Sequence, residues 1–349
     1  MLRDCLQYLA GRGDLHVTAL VHKRELCDYT GIDYIEIPWS VESWLKRLKC
    51  EYITMNRISK TLPKTDLWLS LHDTTPRVRA KRQAVYCHTS FPFMKPTVRD
   101  WKMDRKIVLF SLFTRYAYKW NVQRNRYLIV QQDWMRQALA TMIGFPVGKI
   151  IVAPPAFNTD FSTPPSAPLE MTKRPPMFLY VGTPDCHKNF ETLCEAARIL
   201  EERIGKGAFR LLITVKGDEN QYAEWLHRHW CHVDSIDFHG LLSREDLAKS
   251  YGEAACLVFP SRVESWGLPI SEFLPTGKPM ILADLPYAHS TSAGAKKVAF
   301  FKVTDAGELA DRMNDLLEGK EDTFKPVDVS DIKAPYAANW DELFEMLLK

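Results

Sequence analysis

The 349-residue chain contains no apolar run approaching the roughly 18 residues that a membrane span requires. Its opening residues, MLRDCLQYLAGRGD, lack the apolar core of a secretory signal, so a cytoplasmic location is expected. The eight cysteines (5, 27, 50, 87, 186, 194, 231 and 256) form no CxxC and no His/Cys spacing suited to zinc. They read as reduced thiols used as small core residues, with neither a disulfide nor a metal site. No GxGxxG and no Walker-type phosphate loop occurs, and the Gly11-Arg12-Gly13 stretch reads as a helix-end turn. What is present is the composition of a folded soluble protein, 46% hydrophobic and 26% charged, which argues against disorder and fibrous repeats. The length suits two domains.

The net charge of +3 conceals an asymmetry. Residues 1–153 carry 25 Lys and Arg against 13 Asp and Glu, whereas residues 154–349 carry 21 against 30. A basic first half is drawn to anionic surfaces such as a phospholipid headgroup layer, a pyrophosphate-bearing substrate or nucleic acid.

A proline-rich stretch from Ala153 to Met177 interrupts both helix and central strand, because proline lacks the N–H that either needs. The expected organisation is therefore a first domain over 1–157, a linker over 158–176 and a second domain over 177–334, with a helix at 335–349 packing back on the first. Apolar segments HVTALV (16–21), DYIEIP (33–38), DLWLSL (66–71), QAVYCH (83–88), RYLIVQ (126–131) and KIIVAP (149–154) alternate with helix-length pieces. The pattern resumes with MFLYVG (177–182), FRLLITVKG (209–217), SIDFHG (235–240), ACLVFP (255–260) and KPMILAD (278–284). Such alternation gives an α/β class with two doubly wound, Rossmann-like domains, whose strand-end loops border a cleft. Asn189, and Ser243 with Asp246 three residues on, mark helix starts.

Four strand-end loops are chemically unusual: 71–76, 87–93, 181–190 and 259–272. In the last, FPSRVESWGLPISE, two carboxylates, Glu264 and Glu272, flank Gly267-Leu268-Pro269. Proline suits the first helical position and glycine permits close approach of a ligand, so a helix N-terminus here favours a phosphate. Glu272, a turn inside, is placed to accept ribose hydroxyls, and Glu264 to reach a sugar hydroxyl. His72 and Asp73, in the first loop, read as a turn.

This loop resembles the Glu-x7-Glu signature of retaining glycosyltransferases of family four, which have the GT-B fold. Further segments are similar in the expected order: LIVQQDWM (128–135), KIIVAPPAF (149–157), YVGTPDCHKN (180–189) and KPMILADLPYAHS (278–290). The resemblance runs from about residue 85 to the end. It implies transfer of a sugar from a nucleotide-diphosphate sugar, without metal or cofactor, to a glycan or lipid-pyrophosphate-linked acceptor. Bacterial enzymes of O-antigen or capsule synthesis are the nearest in kind, which implies a peripheral position on the anionic inner face of the cytoplasmic membrane. No nucleic-acid partner is implied.

Residue by residue, the resemblance gives Lys188 the donor pyrophosphate, Glu264 the donor sugar and Glu272 the ribose. Gly267, Leu268 and Pro269 would offer backbone groups to sugar and phosphate, and Gly182 would line the loop after the domain's first strand. His88 matches the first-domain histidine placed near the anomeric centre. Thr183 stands where many members have arginine, which leaves Lys188 to carry the phosphate charge with help from His187 or Arg262. His289 takes a place that is often glutamate, and Trp266 one that is often phenylalanine. The family's opening strand and glycine-rich loop have no counterpart, since the chain begins on what reads as the following helix. Two expectations follow: either the sequence starts too late and an upstream strand precedes it, or the first-domain sheet lacks its first central strand. The missing strand also raises the alternative of a non-catalytic sugar-nucleotide or glycan-binding subunit. The segment KIVLFSLFTRYAYKW (106–120) interleaves aromatic and basic residues and is read as packing within the first domain in preference to lying on a membrane.

Overall fold

The computed structural model describes residues 1–155 and 175–349. All but the last two residues of the expected linker thus lie outside the described residues.

The chain divides into two compact units. One comprises Met1–Thr89, Phe113–Ala156 and Ile332–Lys349; the other comprises Ser90–Leu112 and Phe157–Asp331. The strands of the first unit are β1 (Val17–Val21), β2 (Ile32–Glu36), β3 (Leu67–Ser70), β4 (Arg82–Cys87), β5 (Tyr127–Val130) and β6 (Ile150–Val152). Those of the second are β7 (Met177–Tyr180), β8 (Arg210–Ile213), β9 (Ile236–Phe238), β10 (Cys256–Phe259), β11 (Met280–Ala283) and β12 (Val298–Phe301). All their pairings are parallel. Each strand segment anticipated above appears. The addition is β12, an edge strand whose four apolar residues, between lysines, are too few to distinguish strand from loop by pattern.

Helices follow in the order α1 (Leu2–Ala10), α2 (Trp44–Lys49), α3 (Met55–Thr61), α4 (Val98–Met103), α5 (Arg105–Lys119), α6 (Asp133–Ile143) and α7 (Phe190–Ile204). The remainder are α8 (Gln221–Trp230), α9 (Arg244–Glu253), α10 (Leu268–Phe273), α11 (Pro286–Thr291), α12 (Ala306–Leu317) and α13 (Trp340–Leu348).

The second unit has sheet order β12-β11-β10-β7-β8-β9. Helices on both faces leave its central strands no contact with water, so Phe178, Leu179 and Tyr180 in β7 and all of β10 are fully buried. This is why they read as unbroken apolar runs. Ser243 caps α9 by accepting from the Asp246 N–H, as the spacing predicts.

In the first unit the strands form two sheets, β1-β2 and β3-β4-β5-β6, and among the described residues no ladder joins β1 to β3. Helix α1 packs against both sheets: Cys5, Leu6 and Leu9 pack with Ala19 and Val21, and with Leu67 and Leu69 of β3. Helix α13 returns to this unit, setting Leu343 and Leu347 against Ala84, Tyr86, Ile129 and Ile151. All eight cysteines are free, and every one except Cys231 is buried.

Two readings need amendment. Ser90–Leu112 groups with the second unit and not with the residues around it in sequence. The reason is chemical, because Asp100 pairs with Arg262 and Arg99 with Glu191. Segment 106–120, mostly helix α5, is not simply packed away. Val108, Ser111, Thr114 and Tyr118 are buried, but Leu109, Leu112, Phe113, Tyr116 and Trp120 are exposed.

Candidate functional site

In the second unit β7 and β10 are neighbours, with β8 and β9 continuing the sheet on one side and β11 and β12 on the other. The order of strands reverses at this point, where the loops leaving the two strands diverge and open α/β sheets bind ligands. The two loops are 181–189, after β7, and 260–267, after β10. They carry most of the residues singled out by sequence.

The first loop closes as a short turn over Cys186–Lys188, ending on Asn189 in the left-handed region with φ 58°. Asparagine tolerates that conformation. Its side chain ties together the chain just beyond β10 and β12, donating to the carbonyls of Pro260 at 3.0 Å and Val303 at 2.8 Å. Asn189 therefore does open α7, but its amide ties loops together and does not cap the helix. The three carbonyls of the turn are each held: Cys186 O by the Arg262 guanidinium, His187 O by the Arg262 N–H, and Lys188 O by the Tyr180 hydroxyl, all at 2.8 Å.

Lys188 and Glu264 meet across the switch point, Nζ to Oε1 2.6 Å, with side chains only 17% and 13% exposed. A charge-assisted hydrogen bond this sheltered from water is stronger than a surface pair, though desolvation offsets part of the gain. The turn and the loop after β10 thus present one cation and one carboxylate side by side.

Beyond Glu264 the chain turns at Gly267, with φ 92°. The backbone there favours glycine, and a Cβ would in addition stand a tight 3.2 Å from Ile270 Cδ1. Helix α10 begins at Leu268, half-exposed, with Pro269 in its first turn. Glu272, one turn in, accepts from the Tyr251 hydroxyl at 2.8 Å. Gly182 exchanges hydrogen bonds with Thr214 Oγ1 through both its N–H and its carbonyl, and Thr183 is exposed and bonded to Asp185.

The two expected helpers of Lys188 are otherwise engaged. Arg262 is committed to Asp100 through two hydrogen bonds, at 2.9 and 2.5 Å. His187 is buried, its Nδ1 without a partner and its ring edge-on to Phe91. Burial first, then the charges of Lys188 and Arg262, push its pKa down to about 3, so it is neutral at physiological pH. His289 stacks on Phe300 and bonds to Asp284.

His88 belongs to the first unit, at the end of β4. Its N–H donates to Asp73 Oδ1 at 2.7 Å, its Nε2 lies 3.6 Å from Asp73 Oδ2, and its buried Nδ1 has no partner. Asp73 also accepts from Thr89 N–H and hydroxyl, and its φ of 70° is rare outside glycine. It is more than the simple turn read from the sequence, because it organises the loop that carries His88.

Sequence reasoning missed Asp100, Tyr180 and Tyr251. Asp100 had a local signal, as Thr97 and Asp100 form a capping box, but nothing local announces a partner 162 residues away. The two tyrosines lie within apolar or helical patterns and give no sign of their hydroxyls' targets.

Residues 166–326 match the family model described as glycosyl transferases group 1. The chain is 24% identical over 166 residues to the O-antigen chain mannosyltransferase B of Escherichia coli, covering 45% of this chain and 43% of that protein. It is 24% identical over 222 residues to the O-antigen chain mannosyltransferase RfbU of Salmonella typhimurium, covering 62% and 56%. The chain thus spans about half the length of the curated relatives it matches. Among solved structures it is similar to WaaG, a glycosyltransferase involved in lipopolysaccharide biosynthesis, with TM-score 0.64, 15% identity and coverage of 92% and 89%. Sucrose-phosphate synthase from Thermosynechococcus elongatus gives TM-score 0.64, 18% identity and coverage of 92% and 84%. The fold is that of GT-B glycosyltransferases, and over residues 166–326 the chain is similar to the glycosyl transferases of group 1.

Proposed function

We propose that the protein is a retaining hexosyltransferase that uses a nucleotide-diphosphate sugar and acts in the synthesis of a bacterial surface polysaccharide. The observation that carries this reading is the Lys188–Glu264 pair at the switch point of the second unit. A diphosphate arriving there competes with Glu264 for Lys188, and its greater negative charge favours the exchange. Glu264 is then released to accept hydroxyls of the donor sugar. As the sugar–phosphate bond breaks, negative charge grows on the leaving diphosphate, and a fixed ammonium in a sheltered site stabilises that charge most when it is fully developed. Lys188 bears this role without a metal ion in this proposal. Glu272, steadied by Tyr251, takes the ribose, and Gly267 lets the backbone approach the donor closely.

The O-antigen relatives support a glycan acceptor and make mannose the first sugar to test; a lipid-linked form of that acceptor is part of the proposal. Peripheral attachment to an anionic membrane extends the same reading. It is supported by α2, where Trp44 and Leu45 are 59% and 79% exposed beside Lys46, Arg47 and Lys49, and by the exposed face of α5 with Arg115 and Lys119. Apolar tips among cations suit an anionic lipid surface. The experiment is transfer from mannosyl, galactosyl and glucosyl nucleotides to lipid-linked glycan acceptors, with product anomers read by NMR. Transfer with retention supports the proposal; nucleotide binding without transfer to any acceptor supports a binding subunit in its place.

A further inference from the structure

We propose that Asp100 and Arg262 are positioning residues that hold the Cys186–Lys188 turn, and hence the Lys188 ammonium, in register with Glu264. The assignment rests on the functional reading of Lys188 given above, but the geometry that carries it is independent of any ligand.

Arg262 stands two residues before Glu264 on the loop after β10. Its backbone N–H donates to His187 O, and its Nη2 donates to Cys186 O. It therefore fastens its own loop to the turn bearing Lys188 at two successive carbonyls, while Tyr180 fixes the third. The loop that carries the carboxylate and the turn that carries the cation are clasped by one residue. A guanidinium can do this because its planar fork reaches a carbonyl and a carboxylate at once.

That clasp needs a counter-charge. Arg262 is only 13% exposed, and a guanidinium so sheltered is costly unless paired. Asp100, 1% exposed, supplies the charge through both carboxylate oxygens. Asp100 is itself held by the Thr97 N–H at 2.6 Å and the Thr97 hydroxyl at 2.9 Å in the first turn of α4. The chain of contact runs Thr97, Asp100, Arg262, the turn, Lys188 and Glu264, with every link at hydrogen-bond distance. Arg262 thus has a task other than the phosphate contact expected from sequence. Burial raises the carboxyl pKa of Asp100, but the bonds from Arg262 and Thr97 outweigh it and leave the pKa below the ordinary value, in keeping with an ionised pair.

The test uses the full chain with Asp100→Asn, Arg262→Met and Arg262→Lys, the last keeping the charge but losing the fork. The first readout is the rate at which an amine-selective reagent modifies Lys188, followed by peptide mass spectrometry, with exposed Lys249 as internal reference. Loss of the clasp should raise Lys188 modification about fivefold or more relative to Lys249, with faster amide exchange over 186–189, in each variant that retains its native circular dichroism. Lys188 reactivity equal to wild type in folded Asp100→Asn and Arg262→Lys overturns the proposal. The second readout is calorimetric affinity for UDP, GDP, ADP and dTDP. If the wild type binds none of them, the functional reading fails while the labelling still decides the positioning role. If the wild type binds one, and Lys188→Ala weakens it but the folded clasp variants do not, the functional reading stands and the positioning role falls.

Discussion

The hydroxyl of Tyr251 donates to Glu272 Oε2 over 2.8 Å, from a ring with no exposed surface. Burial, then the neighbouring Glu272 charge, raise the tyrosine pKa, so the hydroxyl remains a donor at any working pH and fixes the rotation of the carboxylate. Glu272→Ala should weaken nucleoside diphosphate binding by about 1.5–3 kcal/mol, the worth of hydrogen bonds to an ionised group. Tyr251→Phe should cost roughly 1 kcal/mol of stability and a smaller share of affinity. Calorimetry on the folded variants checks both; unchanged affinity in Glu272→Ala removes that residue from the site.

Gly267 should be intolerant of even the smallest side chain. Its φ of 92° costs an L-residue roughly 1–2 kcal/mol, and the 3.2 Å approach to Ile270 adds to that. Gly267→Ala should therefore lower the urea midpoint. A midpoint equal to wild type would contradict the backbone account.

The neutral His187 makes stability depend on pH. Its folded pKa near 3 lies below the unfolded value near 6.5, so between these limits the unfolded chain binds the extra proton. The contribution is complete above pH 6.5 and is lost as pH falls towards 3. At pH 5.5, one unit into that window, the loss is on the order of 1 kcal/mol relative to pH 7.5. His72, lowered by burial, acts in the same direction, so the informative comparison is with His187→Leu, whose urea midpoint should fall less between pH 7.5 and 5.5 than that of wild type. Equal slopes would mean that His187 is not held neutral.

Legibility in the sequence followed the physics of each feature. Buried parallel strands announce themselves as apolar runs, and the glycine of a left-handed turn is visible beside a helix-starting proline; β10, Gly267 and α10 were accessible for those reasons. The pairing of Lys188 with Glu264 was not, because each was assigned separately to a ligand and neither assignment implied that they bond to one another. Arg262 was misjudged for a related reason, since its charge suits a phosphate as well as it suits Asp100. The packing expected of α5 holds for one face only, because aromatics interleaved with basic residues do not say which of them meet protein and which meet solvent.

Membrane attachment, if it uses α2, should depend on both the apolar tips and the salt. Each Lys or Arg near an anionic leaflet contributes roughly 1 kcal/mol, screened over about 10 Å at 0.1 M salt. Co-sedimentation with anionic vesicles should fall on raising salt and in Leu45→Asp, and should be weak with neutral vesicles. Equal binding to both vesicle types would count against this attachment.

The most direct test of the central claim, that Lys188 receives the donor's diphosphate, is calorimetric binding of a nucleoside diphosphate and its monophosphate to wild type and Lys188→Ala. The account predicts that the variant loses affinity for the diphosphate by about 10-fold or more, as expected for a charged hydrogen bond, while its affinity for the monophosphate changes little. Equal diphosphate affinity in wild type and in folded Lys188→Ala would contradict it.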